Sequence, residues 1–225
     1  MILKFTLWGY PEIAPQVPAT LYNLHNISHI TTVRICVNVG YRAIQLNGPS
    51  GELYTRGELK FENDAHYTEA TELSEFLNRF DTSRCQQLGI AYYGFIWEIP
   101  TANARCSTYQ LLHLMGDLCI LTLIELANCP FILALNPDKN PDKIILCPRL
   151  EEITLRVYGS FRLYASELLS MAKERASRRA KLSTITIVSG KALAPSTEVF
   201  ELGKHASRVK CKVNNHGTPH QDPRM

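Results

Sequence analysis

Apolar residues recur along the chain in one short word, apolar-x-x-apolar-x-apolar. It is clearest in Leu150, Ile153, Leu155 and again in Leu182, Ile185, Ile187. The last two members of each word alternate, so they share one face of a strand while Thr154 or Thr186 takes the other. The same word occurs as Ile2, Phe5, Leu7; Ile30, Val33, Ile35; Cys85, Leu88, Ile90; Leu118, Leu121, Leu123; and Ala206, Val209, Cys211. Its first positions, at 2, 30, 85, 118, 150, 182 and 206, are separated by 28, 55, 33, 32, 32 and 24 residues. A chain that is 45% hydrophobic produces single copies by chance, so the interval carries the argument.

Helical patterns fall between these strands. Thr68 to Phe80 places Ala70, Leu73, Phe76, Leu77 and Phe80 on one face and Glu69, Glu72 and Glu75 on the other. Ser107 to Met115 is a short helix carrying Leu111, Leu112 and Met115, and Pro130, Pro137 and Pro141 confine Phe131 to Leu135 to a short element between turns. Tyr164 to Ala180 turns Ala165, Leu168, Leu169, Ala172 and Ala176 inward and Lys173, Arg175, Arg178 and Arg179 outward, with Glu174 one turn before Arg178. A last helix starts at Pro195 and buries Val199, Phe200 and Leu202. The 55-residue interval contains a hairpin: Ile44 and Leu46, a Gly48-Pro49-Ser50-Gly51 turn, then Leu53 and Tyr54. The predicted fold is α/β, a leucine-rich-repeat-like solenoid of roughly parallel strands alternating with helices. It spans residues 1–213, with the β-hairpin inserted at about 41–57 and a disordered polar tail at 214–225. The repeat word L-x-x-L-x-L normally returns every roughly 20 to 29 residues, and longer units hold a full helix. An ordinary mixed α/β domain with evenly spaced strands is the alternative. Solenoids usually carry a polar cap, so a chain opening on Ile2, Phe5 and Leu7 is expected to be truncated or covered there.

Composition narrows the setting. The 225 residues carry a net charge of +3, too mild to imply a nucleic-acid partner by itself. Cysteines at 36, 85, 106, 119, 129, 147 and 211 are odd in number, form no Cys-x-x-Cys and sit largely at apolar strand positions. That usage suits a reducing compartment. The start turns polar and meets Pro11 too early for a signal peptide, and the apolar run from Leu118 to Leu135 is broken by Glu125, Asn128 and Pro130. The expected location is cytoplasmic or nuclear, with no membrane partner.

Candidate chemistry is sparse. No G-x-S-x-G, phosphate-cradling glycine loop or His-Glu-x-x-His occurs, so neither an enzyme nor a cofactor or metal is expected. His25 and His29 lack the intervening glutamate, His216 and His220 lie in the tail, and Asn26-Ile27-Ser28 matches a glycosylation acceptor in a chain with no other secretory feature. Lys173, Arg175, Arg178, Arg179 and Lys181, joined by Arg208, Lys210 and Lys212, are the candidate anion patch. Cations are favoured near any helix C-terminus, and no aromatic residues interleave with these, so nucleic acid is disfavoured. The remaining candidate is the strip between the inward positions: Thr32, Arg34, Thr122, Glu152, Thr154, Arg156, Thr184, Thr186, Arg208 and Lys210. Solenoids use such strips for extended partners, while threonine also suits exposed strands by propensity alone.

Several longer words carry a resemblance. They are Thr20 to Leu24, Asn47 to Tyr54, Arg79 to Cys85, Asp142 to Glu152 and Glu167 to Ala172, the last continued by Lys181-Leu182-Ser183. Together they resemble the leucine-rich-repeat tail of F-box-like proteins of mushroom-forming, polypore-type fungi, over all but the final dozen residues. The resemblance implies a protein-interaction array that holds a target, still unknown, for a ubiquitin ligase. Docking on the cullin-ligase adaptor is implied only for a longer form, because no F-box pattern is present. The sequence also departs from the pattern at Arg179, where glycine is expected. A left-handed arginine there costs on the order of 1 kcal/mol.

Overall fold

A computed structural model describes residues 3–9, 30–38, 41–48, 51–58, 82–93, 102–124, 128–157, 162–190 and 197–213. The elements are β1 (Leu3–Gly9), β2 (Thr32–Asn38), β3 (Tyr41–Gly48), β4 (Gly51–Glu58), β5 (Gln87–Tyr93), α1 (Ala102–His113), β6 (Ile120–Ile124), α2 (Asn128–Leu135), β7 (Glu152–Val157), α3 (Arg162–Ser177), β8 (Leu182–Ser189), α4 (Thr197–His205) and β9 (Ala206–Val213). The described strands make one open sheet in the order β1-β4-β3-β2-β5-β6-β7-β8-β9. From β2 through β5 to β9 every neighbour is parallel, while β3 runs antiparallel to both β2 and β4. The predicted helix at Thr68 to Phe80, both histidine pairs, Asn26 and the tail at 214–225 lie outside the described residues.

The strand word is realised in its copies from Ile30 to Ile187, while Ile2 lies outside the described residues. Ile30, Cys85, Leu118, Leu150, Leu182 and Ala206, its first members, are all buried. The residue after each of the first four holds the next unit in register: the carbonyl of Thr31 accepts from the N–H groups of Gln86 and Gln87, Gln86 from Cys119 and Ile120, Cys119 from Glu151 and Glu152, and Glu151 from Ser183 and Thr184. The word also extends backwards. Thr82, Met115 and Cys147 are buried three residues before a first member, and each closes a turn by accepting from that member's N–H. The second and third members, such as Leu121 and Leu123 or Ile185 and Ile187, form one continuous core with Leu111, Leu112, Leu168, Met171 and Leu202 of the helices. Burying one sheet face against a helix layer is the main stabilising contribution.

Several expectations need correction. The hairpin at 41–57 forms as expected, as β3 and β4, with Ile44 and Leu46 buried, but it lies between β2 and β1, so β1 pairs with β4, not with β2. Reversing the chain twice makes β4 parallel to β2, so β1 can add beside β4 in the common direction. The helix expected from Ser107 begins at Ala102, and Phe131 to Leu135 belongs to α2, which accepts Pro130 in its first turn, where an N–H has no partner to lose. On α4 Leu202 is buried and Val199 packs on the core, but Phe200 is exposed, with Lys204 Nζ 5.3 Å from its ring centre. Cys211, the last inward position of the word, is exposed on the edge strand.

The largest departure concerns the basic face of α3. Arg175 is fully buried, and its guanidinium donates to the carbonyls of Leu146, at 2.8 Å, and Cys147, at 3.0 Å. Arg178 donates to the carbonyl of Lys143 and pairs with Asp138, at 2.8 Å, in place of the expected Glu174. Both arginines therefore clamp the long connection between α2 and β7. Asn140 closes the same connection on itself, donating to the carbonyls of Ala134 and Ile144 and accepting from the Ile144 N–H, while Asn136 ties it to Ser170 of α3. Burial holds the Cys147 thiol up at about 12, against the opposing pull of Arg175, and brings Arg175 down to about 10, still charged at neutral pH. Arg179 does adopt the left-handed conformation, at φ 65°, and completes the helix stop: Ala180 N–H donates to Arg175 and Arg179 N–H to Ala176.

Candidate binding face

Parallel register turns the predicted strip into rungs. Thr32, Gln87, Ile120, Glu152, Thr184 and Arg208 are successive Cα partners across six strands. The next rung, two residues on, is Arg34, Gly89, Thr122, Thr154, Thr186 and Lys210. A third runs Cys36, Ala91, Ile124, Arg156, Val188, Lys212. All the residues chosen from the sequence therefore lie on one side of the sheet, opposite the side that carries the core. Arg34, Glu152, Arg208 and Lys210 are exposed, and Thr32, Thr122, Thr154, Arg156, Thr184 and Thr186 are half-buried by their cross-strand neighbours.

The face is not flat. A concavity of ≈ 260 Å³ opens over β2, β5, β6 and β7. Its polar lining is Thr32, Arg34, Gln45, Gln87, Thr122 and Arg156; Cys36, Gly89, Ala91, Ile120 and Ile124 contribute the apolar part. Gly89 and Ala91 occupy successive rungs of β5 and lack the bulk to fill it. A Cβ at Gly89 would meet Cγ of Arg34 at 3.6 Å, an ordinary contact, so glycine here leaves space and relieves no clash. Among the described residues neither Arg34 nor Arg156 has an acidic partner, and Nε of Arg156 is buried without an acceptor. A glycine between Leu88 and Ile90 was the available sequence signal, since glycine inside a strand often marks close approach of another group. Gln45 and Gln87 could have been reached by extending the alternation outward from Ile44 and Leu88.

The anion patch on α3 does not assemble. With Arg175 in the core and Arg178 tied to Asp138, only Lys173, Arg179 and Lys181 of that group remain as exposed cations without a described partner, while Arg208, Lys210 and Lys212 lie on the edge strand. Among the described residues no group of three metal-ligating side chains comes together, and no helix is long and apolar enough to cross a membrane. No family model, no curated protein and no solved structure matches the chain.

Proposed function

We propose that this chain is a non-enzymatic protein-interaction module of the cytoplasm or nucleus that receives an extended segment of a partner on its open sheet face. On this reading the alternating strands and helices are a leucine-rich-repeat-like solenoid, like the target-holding repeats of F-box-type ubiquitin-ligase receptors, and adaptor docking belongs to a longer form that carries an F-box. The observation that carries it is the run of threonine, arginine, lysine and glutamine positions on the rungs across β2 and β5 to β9, facing away from the core and interrupted by the apolar Ile120, Ala91, Ile124 and Val188. A parallel sheet normally hides both faces under helices. A face rich in threonine and arginine instead offers hydrogen-bond donors and acceptors at a regular spacing. The recurring backbone bonds at the strand starts support the repeat reading, because four successive junctions, from Ile30 to Leu182, are gripped in the same way.

The test is affinity capture with the full chain, compared with a Thr154→Ala/Arg156→Ala variant of unchanged thermal midpoint. A protein retained by the parent, lost by the variant and bound again from purified components supports the face. Identical captured sets with parent and variant would remove it. Capture of nucleic acid that collapses with added salt would instead favour a basic nucleic-acid module centred on Arg208, Lys210 and Lys212.

A further inference from the structure

We infer that the concavity over Gly89 is an oxyanion site, built to take a carboxylate or phosphate carried by the side chain of an acidic extended peptide. The inference deepens the proposed function and rests on the open face being the docking surface. Three observations converge on it. First, Arg34 and Arg156 line the same concavity from strands three spacings apart, about 14 Å across the sheet, so their guanidinium groups approach it from opposite sides. Second, none of the described lining residues is acidic, and among the described residues neither arginine has an acidic partner. Arginines not committed to internal pairs keep their forked donors for a ligand, and carboxylate and phosphate match that fork. Third, the space exists because β5 presents Gly89 and then Ala91 where its neighbours present larger side chains.

The surrounding charge favours an acidic segment over a lone anion. The three rungs carry Arg34, Arg156, Arg208, Lys210 and Lys212 against the single carboxylate of Glu152. A peptide laid across β5 to β9 with its anionic side chain in the concavity would place its further acidic residues over the β9 cations. Thr32, Thr122 and Gln87 stand beside the arginines to donate to the remaining oxygens.

The experiment titrates the full chain, labelled with ¹⁵N-arginine, with inorganic phosphate and separately with acetate, at ionic strength held constant with sodium chloride. The Arg34 and Arg156 side-chain Nε–H signals are followed. Saturable shifts of both are expected, with affinity weakened about tenfold or more in Arg34→Gln and in Arg156→Gln. Gly89→Leu, which fills the space against the Arg34 side chain and removes neither charge, should abolish them. Arg34 is exposed, so its variant stays informative even if Arg156→Gln unfolds the protein. Saturation by phosphate alone assigns the site to phosphorylated side chains, and saturation by both anions assigns it to acidic side chains generally. Shifts no larger than those from chloride, or unchanged in Gly89→Leu, overturn the site. A site that binds anions while capture yields no partner sensitive to Thr154→Ala/Arg156→Ala would keep the oxyanion site and remove the interaction module.

Discussion

Arg175 and Arg178 clamp one connection from positions three apart, the first in the core and the second at the surface. The buried Arg175 guanidinium donates to two carbonyls of a connection nearly 30 residues back, next to the left-handed Cys147 at φ 46°. Replacing it with methionine keeps most of the volume but orphans both carbonyls. Arg175→Met is therefore expected to cost about 2–4 kcal/mol in urea unfolding. Arg178 lies at the surface, where its pair with Asp138 is screened by water, so Arg178→Ala should cost no more than about 1 kcal/mol. Arg179 points the other way. Its positive φ is a conformation glycine adopts freely, so Arg179→Gly should raise the unfolding midpoint and add about 1 kcal/mol. A loss of stability in that variant would mean that the helix stop depends on the arginine side chain.

On α4 the periodicity alone admits Val199, Phe200 and Leu202 to one apolar side, yet a helix of 9 residues can press only a narrow stripe against the core. Leu202 takes the buried position and Phe200 turns to solvent beside Lys204. Leu202→Ala is expected to cost about 2–5 kcal/mol, whereas Phe200→Ala should stay within about 0.5 kcal/mol. Equal losses in thermal unfolding would refute this orientation. At the other end of the same unit, β9 shows its exposure in Arg208, Lys210 and Lys212, charges that discourage another strand from adding to an open edge.

Linking the units into one sheet buries thiols that would otherwise ionise. Burial raises Cys85 from 9.0 to about 11 and Cys147 from 9.0 to about 12. Between those limits the unfolded chain holds fewer protons than the folded one, so the stabilisation is complete below pH 9 and is lost as pH rises toward 11 or 12. Tyr109, whose hydroxyl donates to Asp142 and which is raised to about 12, adds to the loss above pH 10. Arg175, lowered to about 10, opposes it there, since the unfolded chain then binds the extra proton. The clean window is pH 9 to 10, where stability should fall by about 1 kcal/mol per thiol. Urea midpoints across that window, in the parent and in Cys85→Ala, check it: the variant should show the shallower slope, with Cys147 and Cys211, both also raised by burial, supplying what remains. In the folded chain a thiol reagent at pH 8 should find the exposed Cys211 and leave Cys85 and Cys147 unmodified.

The repeat word was legible in the chain because its information is local: a buried first member, a turn and two alternating members need only a few residues of context, and Leu118, Leu121 and Leu123 or Leu150, Ile153 and Leu155 carry it unaided. The same alternation put Thr154, Arg156 and Thr186 on the side away from the core. Partners distant in sequence were not legible. Nothing near Arg175 says that it will meet the Leu146 and Cys147 carbonyls, nothing near Leu3 to Gly9 says that β4 will be its neighbour, and nothing near Gly89 says that Arg34 and Arg156 will border the space it leaves. Periodicity selects which side of an element turns inward. Which elements become neighbours is settled by packing across the whole sheet, where burying one large polar group or inserting one hairpin rearranges contacts tens of residues apart.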